Sequence, residues 1–167
     1  MNIEKLVKEI IPPGDYQHRN GFNNIPLIDK LNDDEKGQLE AALIHKLQFE
    51  SAEQPDTLVV ETLAVLKSEK SVQILKQLLE KCTSSMTKLV IAASIYEING
   101  ENGMVDIAIN NLKKIDDKSD AYYVYKLTSA FYYLIKFNDP RVISIIEEYA
   151  NHNEYLVAYN AKRVLNK

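Results

Sequence analysis

Tryptophan is absent from this chain, cysteine occurs once, and glycine and proline number five each among 167 residues. Each scarcity closes a class. A single thiol, Cys82, permits no internal disulfide, and its place just after Leu78 and Leu79 is that of a small core residue. His18, His45 and His152 stand far apart, and no Cys/His spacing points to zinc. No apolar run approaches the ~20 residues that span a bilayer. The start, Met1-Asn-Ile-Glu-Lys, lacks the basic-then-apolar order of a signal peptide, so the chain is expected in the cytoplasm with no membrane partner. A glycine-rich phosphate loop, Gly-x-Ser-x-Gly and His-Glu-x-x-His are all missing, so neither an enzyme nor a cofactor is expected.

A basic stripe is missing as well. Net charge is −4, with 10 Lys/Arg against 14 Asp/Glu in residues 1–82 and 10 of each in 83–167. Phosphate backbones are held by clustered cations, so nucleic acid is a poor partner for this balance. An acidic surface suits a basic protein, drawn in by long-range steering.

What is present is hydrophobic periodicity of helical spacing, and it repeats. Val72-Leu75-Leu79, Val105-Ala108-Leu112 and Val142-Ile145-Tyr149 lie 33 and 37 residues apart, each followed by a second apolar helical stretch. Sheet-type alternation is lacking. A period of that size predicts stacked helix pairs, hence an all-α fold: an α-solenoid of about four antiparallel pairs.

The punctuation agrees. A helix over 2–11 stops at Pro12-Pro13-Gly14, a loop is expected over 14–24, and Asn24 to Ile28 opens a short turn. Asn32 with Glu35 forms a capping box for a helix to about Phe49, and its partner runs over 57–67. Ser68 is expected to cap 69–82, and 85–98 follows up to the break at Asn99-Gly100. The third pair is 104–115 and 120–137. The fourth opens at Asp139-Pro140, with cap then N1 proline, and closes with 154–166. Residues 1–167 are thus expected as one monomeric domain, with 1–31 a capping helix and loop and 32–167 the stacked pairs.

Asp139-Pro-Arg-Val-Ile-Ser-Ile-Ile, then Asn153-Glu-Tyr-Leu-Val-Ala-Tyr-Asn-Ala-Lys-Arg-Val-Leu, resembles a HEAT repeat of the short bacterial kind. The copy from Lys70 resembles it less closely, the copy from Gly103 is longer and tyrosine-rich, and residues 1–67 match loosely. The resemblance covers about 100 residues and implies a HEAT-like, armadillo-like superhelix. Size, charge and repeat type also resemble HEAT-like immunity proteins of bacterial toxin systems, which bind one toxin and block it. No residue carries over from that likeness. It implies a non-enzymatic inhibitor of a basic toxin or effector domain. A general adaptor or scaffold module is the alternative. A DNA glycosylase of HEAT-like fold is a second, opposed by the acidic balance and the lack of tryptophan.

Candidate binding residues come from the tyrosines and the acids. Every tyrosine but Tyr16 lies at or beyond Tyr96. On the helix over 120–136, Val124, Leu127, Phe131 and Leu134 share a face, Tyr125 and Tyr132 share a flank, and Tyr122 and Tyr133 point away. That helix is apolar nearly all round, which predicts a place in the middle of the stack. Tyr155 and Tyr159, at i and i+4 near Lys162, lie off the core stripe Val157-Ala161-Val164-Leu165. The HEAT-like resemblance puts second helices on a concave surface, where these tyrosines would meet a partner. The competing reading is packing between repeats. Asp29, Asp33, Asp34 and Glu35 read as a solvated helix start, Asp116 and Asp117 as a polar turn, and Glu147 and Glu148 as an exposed face bordering a groove. The candidate partner-binding set is Tyr125, Tyr132, Tyr155, Tyr159, Glu147, Glu148, Asp116 and Asp117.

Overall fold

A computed structural model describes residues 2–166. Among them the chain is helical throughout, without a strand. The elements are α1 (Ile3–Ile10), α2 (Tyr16–Arg19), α3 (Ile25–Ile28), α4 (Asp33–Phe49), α5 (Thr57–Val65), α6 (Val72–Lys81), α7 (Ser85–Asn99), α8 (Gly103–Ile115), α9 (Tyr123–Leu134), α10 (Pro140–Tyr149) and α11 (Tyr155–Leu165).

Local chemistry sets most of these limits. The Asn32–Glu35 capping box forms in full, each side chain accepting the other residue's backbone N–H at 2.9 and 3.0 Å. Asp56, Ser84 and Asp139 accept backbone N–H groups in the first turns of α5, α7 and α10. Gly100 ends α7 in the left-handed region, at φ 71°, where a side chain would crowd its own carbonyl.

Two expectations need correcting. The loop over 14–24 contains α2, because the Asp15 carboxylate caps His18 N at 3.0 Å and holds its ring as well. Ser68 does not cap the following helix. Its side chain is buried and makes no capping hydrogen bond. A 3-10 turn over Glu69–Ser71 intervenes, closed by Ser71 Oγ donating to Ser68 O at 2.7 Å. The chain has already turned sharply there, with Lys67 at φ 54° and Ser68 N donating back to Leu63 O.

The central helix is α7, not α9. Leu89 through Ile95 are all buried, and α7 packs on α5, α6, α8 and α9. Ala92, Ala93 and Ser94 let those neighbours approach closely. The α9 helix buries Leu127, Ala130, Phe131 and Leu134 but leaves Tyr125, Lys126 and Ser129 exposed. The helices α5, α7, α9 and α11 pack in succession, and α4–α5, α6–α7, α8–α9 and α10–α11 pack as sequence neighbours. The periodic apolar positions divide: Leu75, Leu79, Val105, Ala108, Leu112 and Val142 are core residues, while Val72, Ile145 and Tyr149 sit half-buried against them.

Candidate partner-binding surfaces

The candidate residues fall on separate parts of the molecule. On α11, Tyr155 and Tyr159 are 72% and 48% exposed, and their rings stack at 5.9 Å between centroids. The i, i+4 spacing puts the rings one above the other, while Val157, Ala161 and Val164 anchor the opposite face in the core. Tyr125 on α9 is 66% exposed. Tyr132, one heptad further along α9, is half-buried instead, and its hydroxyl donates to Asn160 Oδ1 of α11 at 3.0 Å. It joins the two helices. Tyr122 and Leu156 are also exposed, at the starts of the same two helices. Sequence spacing turns Tyr122 away from the core face without marking it as a site, and Leu156 carries no signal of exposure beside Val157.

Tyr133 does not point away into solvent. It is half-buried, and its hydroxyl donates to Glu61 Oε1 of α5 at 3.0 Å. Both α5 and α9 pack on α7, so this bond reaches over α7. Lys136 Nζ reaches Glu97 of α7 at 2.8 Å and lies 5.4 Å from the Tyr133 ring centroid. Burial raises the Glu61 carboxyl above its ordinary value, and the Tyr133 hydrogen bond and Lys136 offset this only in part. Burial and the Glu61 charge push the Tyr133 phenol well up. A phenol aimed at a carboxylate could have been sought in the sequence, yet 72 residues separate this pair.

The acids lie elsewhere. Asp116, at the end of α8, accepts the Tyr149 hydroxyl at 2.7 Å, and its other oxygen is buried without a partner. Burial and the Asp116 carboxylate raise the Tyr149 phenol. Asp116 and Glu148 line one cleft of ≈ 350 Å³ between α8 and α10, with Ile109, Leu112 and Ile145 as apolar wall and Lys113 and His152 beside them. Glu147 is exposed next to Glu148 but does not line that cleft. Asp117 is occupied locally: it accepts Ser119 N and Oγ at 2.9 and 2.7 Å, which lowers its pKa. The structure therefore brings Asp116 to Glu148 and Tyr155 to Tyr159.

Three clefts are lined by helices two apart in the chain. Leu47 of α4 faces Ile74 and Leu78 of α6 in the first, α6 faces α8 in the second, and α8 faces α10 in the third. A further apolar cleft of ≈ 480 Å³ separates α1 from α4. No group of three or more metal-ligating side chains occurs among the described residues. No described helix is long and apolar enough to cross a membrane. Compared with protein-family models, curated proteins and solved structures, the chain matches none.

Proposed function

We propose that the chain is a HEAT-like α-solenoid that binds one protein partner without chemistry of its own, and that it acts as an immunity or inhibitor protein occluding a basic toxin or effector domain. Two observations support the solenoid reading. Contacts run in succession through α5, α7, α9 and α11, and clefts recur between α4, α6, α8 and α10. One row packed tightly beside one row splayed apart is the geometry of a curved stack.

The observation that carries the binding reading is the exposed aromatic surface of α9 and α11. Tyr122, Tyr125, Tyr155, Leu156 and Tyr159 leave large apolar area in water on two helices that pack together. Such area is costly to leave open unless something covers it, and tyrosine supplies rigid, amphipathic contacts at binding hot spots. The net charge of −4 favours a basic partner. The test is co-purification with the product of the adjacent gene, for the wild type and for Tyr155→Ala/Tyr159→Ala. A complex that weakens at least about tenfold in the double variant supports the reading. A neighbouring product that neither binds nor has its toxicity suppressed overturns it.

A second reading, an adaptor or scaffold module, is favoured by one observation: the clefts of the other row carry different chemistry from the tyrosine surface. A neighbouring operon of housekeeping genes, with two partners bound at once, would select it.

A further inference from the structure

The cleft between α6 and α8 combines three features that the folded chain leaves unsatisfied. It measures ≈ 450 Å³, and Leu79, Met104 and Ile107 give it apolar walls. Met104, Ile107, Asn111 and Lys114 follow one another at spacings of three and four, so they share the face of α8 that borders the cleft. Asn111 is 5% exposed. Its amide nitrogen donates to Ile107 O at 2.8 Å, and its Oδ1 is buried with no donor. A buried acceptor left unpaired costs free energy until a donor reaches it.

The charges are the third feature. Lys76 is neutralised by Glu101 at 2.7 Å. Lys88 at the start of α7 and Lys114 at the end of α8 make no ion pair among the described residues, although Lys88 is half-buried. Glu80 is exposed on the opposite wall. A ligand for this cleft therefore offers one carboxylate to Lys88 and Lys114 and aliphatic surface to the walls, and an N–H donor that Asn111 Oδ1, closed to solvent in this conformation, accepts when the side chain turns outward. Glu80 opposes a polyanion, which argues against phosphate chains and nucleic acid.

We propose that this cleft binds an acidic, aliphatic peptide segment of a second protein. A peptide chain carries the N–H, the carboxylate and the apolar side chain within two or three residues. The cleft is an open trough between helices, so a small free acid would leave much of its surface in water, while a chain continues along the trough. The tyrosine surface is made by other helices, so the two sites are independent.

The experiment uses the full chain and fluorescein-labelled hexapeptides with one Asp or Glu beside Leu or Ile, against the same peptides with Asn or Gln in place of the acid. Fluorescence anisotropy reads affinity. Acidic members bind at least about tenfold tighter than their amide counterparts, and Lys88→Gln/Lys114→Gln abolishes that preference. Asn111→Leu weakens acidic and amide peptides alike. The lysine pair lies outside the buried core, so the double variant keeps the test valid where Asn111→Leu fails to fold. Equal affinity for acid and amide peptides, an acid preference that survives the lysine exchange, or tighter binding of a labelled single-stranded hexanucleotide each overturns the proposal. Tyr155→Ala/Tyr159→Ala leaves peptide affinity unchanged, so failure here is distinguishable from failure of the tyrosine surface.

Discussion

Replacing Tyr133 by phenylalanine deletes one oxygen and strands a carboxylate. Glu61 is half-buried on α5, and among the described residues the one side chain that hydrogen-bonds it is Tyr133, through its hydroxyl at 3.0 Å. Lys136 is near but is committed to Glu97 at 2.8 Å. Leaving a partly buried charged acceptor without its donor costs about 1–3 kcal/mol, or roughly 2–12 °C in Tm for a chain of this length. Glu61→Gln behaves differently, because the amide oxygen still accepts from Tyr133 while the charge that burial disfavours is gone. Its stability at pH 8 equals or exceeds that of the wild type. The pH dependence follows from linkage. The Glu61 carboxyl is raised above its ordinary 4.5 in the folded chain, so between 4.5 and the folded value the native state holds a proton that the unfolded state has lost. That stabilisation is present below 4.5 and is lost as pH rises through the folded value. Glu61→Gln has no such loss, so its Tm gains on the wild type as pH climbs from 4 to 8. Thermal unfolding of the two single variants and the double variant across that range closes the cycle, with a coupling of about 1 kcal/mol. An unchanged Tm for Tyr133→Phe, or a gap between Glu61→Gln and wild type that stays flat with pH, refutes the account of this bond across α7.

Arg19 clamps the segment before α3 to the start of α5. Its guanidinium reaches both Asp56 oxygens at 2.6 Å and Pro12 O at 2.8 and 3.1 Å. Burial opposes ionisation of Asp56, but the Arg19 hydrogen bonds and charge win and lower its pKa. Arg19→Ala therefore costs about 1–3 kcal/mol near neutral pH by denaturant unfolding, and the deficit shrinks as acid protonates Asp56. Asp139→Ala removes the cap on Arg141 N and costs about 1 kcal/mol, read as a fall in Tm with the Arg141–Asp106 pair left in place. Gly100→Ala meets no atom within 4 Å, so its cost of about 1 kcal/mol is backbone strain at φ 71° alone, and partner binding is unaffected.

Helix identity was legible because it rests on local rules. The Asn32–Glu35 box, the Asp139-Pro140 start and the Gly100 stop are each complete within four residues, and all three occur as read. The elements that escaped depend on contacts the local pattern does not encode. The helix α2 has no apolar stripe and exists through the Asp15–His18 cap and the Arg19 clamp to Asp56, 37 residues away. Ser68 looks like a cap in the sequence, but the chain has already reversed at Lys67, so its hydroxyl ends inside. The apolar girth of α9 pointed to a central place, yet α7 took it. The Ala92-Ala93-Ser94 run allows four neighbours to close in, whereas the tyrosines of α9 keep one flank in water.

The site is legible only where a helix displays its own residues. Tyr155 and Tyr159 share a face by i, i+4 geometry, and they stack as that geometry requires. Tyr125 and Tyr132 share a flank by the same arithmetic and nevertheless differ. The flank passes beside Asn160 at one level and into solvent at the other, and helical phase carries no information about where a neighbour ends. The same limit hides the α6–α8 cleft. Asn111 sits between Ala108 and Leu112, two core positions of α8, and a polar residue there is the one mark it leaves on the sequence. Lys88 and Lys114 come from different helices, and nothing along the chain shows that neither pairs with a carboxylate among the described residues. Unsatisfied groups are defined by what surrounds them in space. The features on which the proposed α6–α8 cleft rests are therefore the ones a linear reading is least able to find.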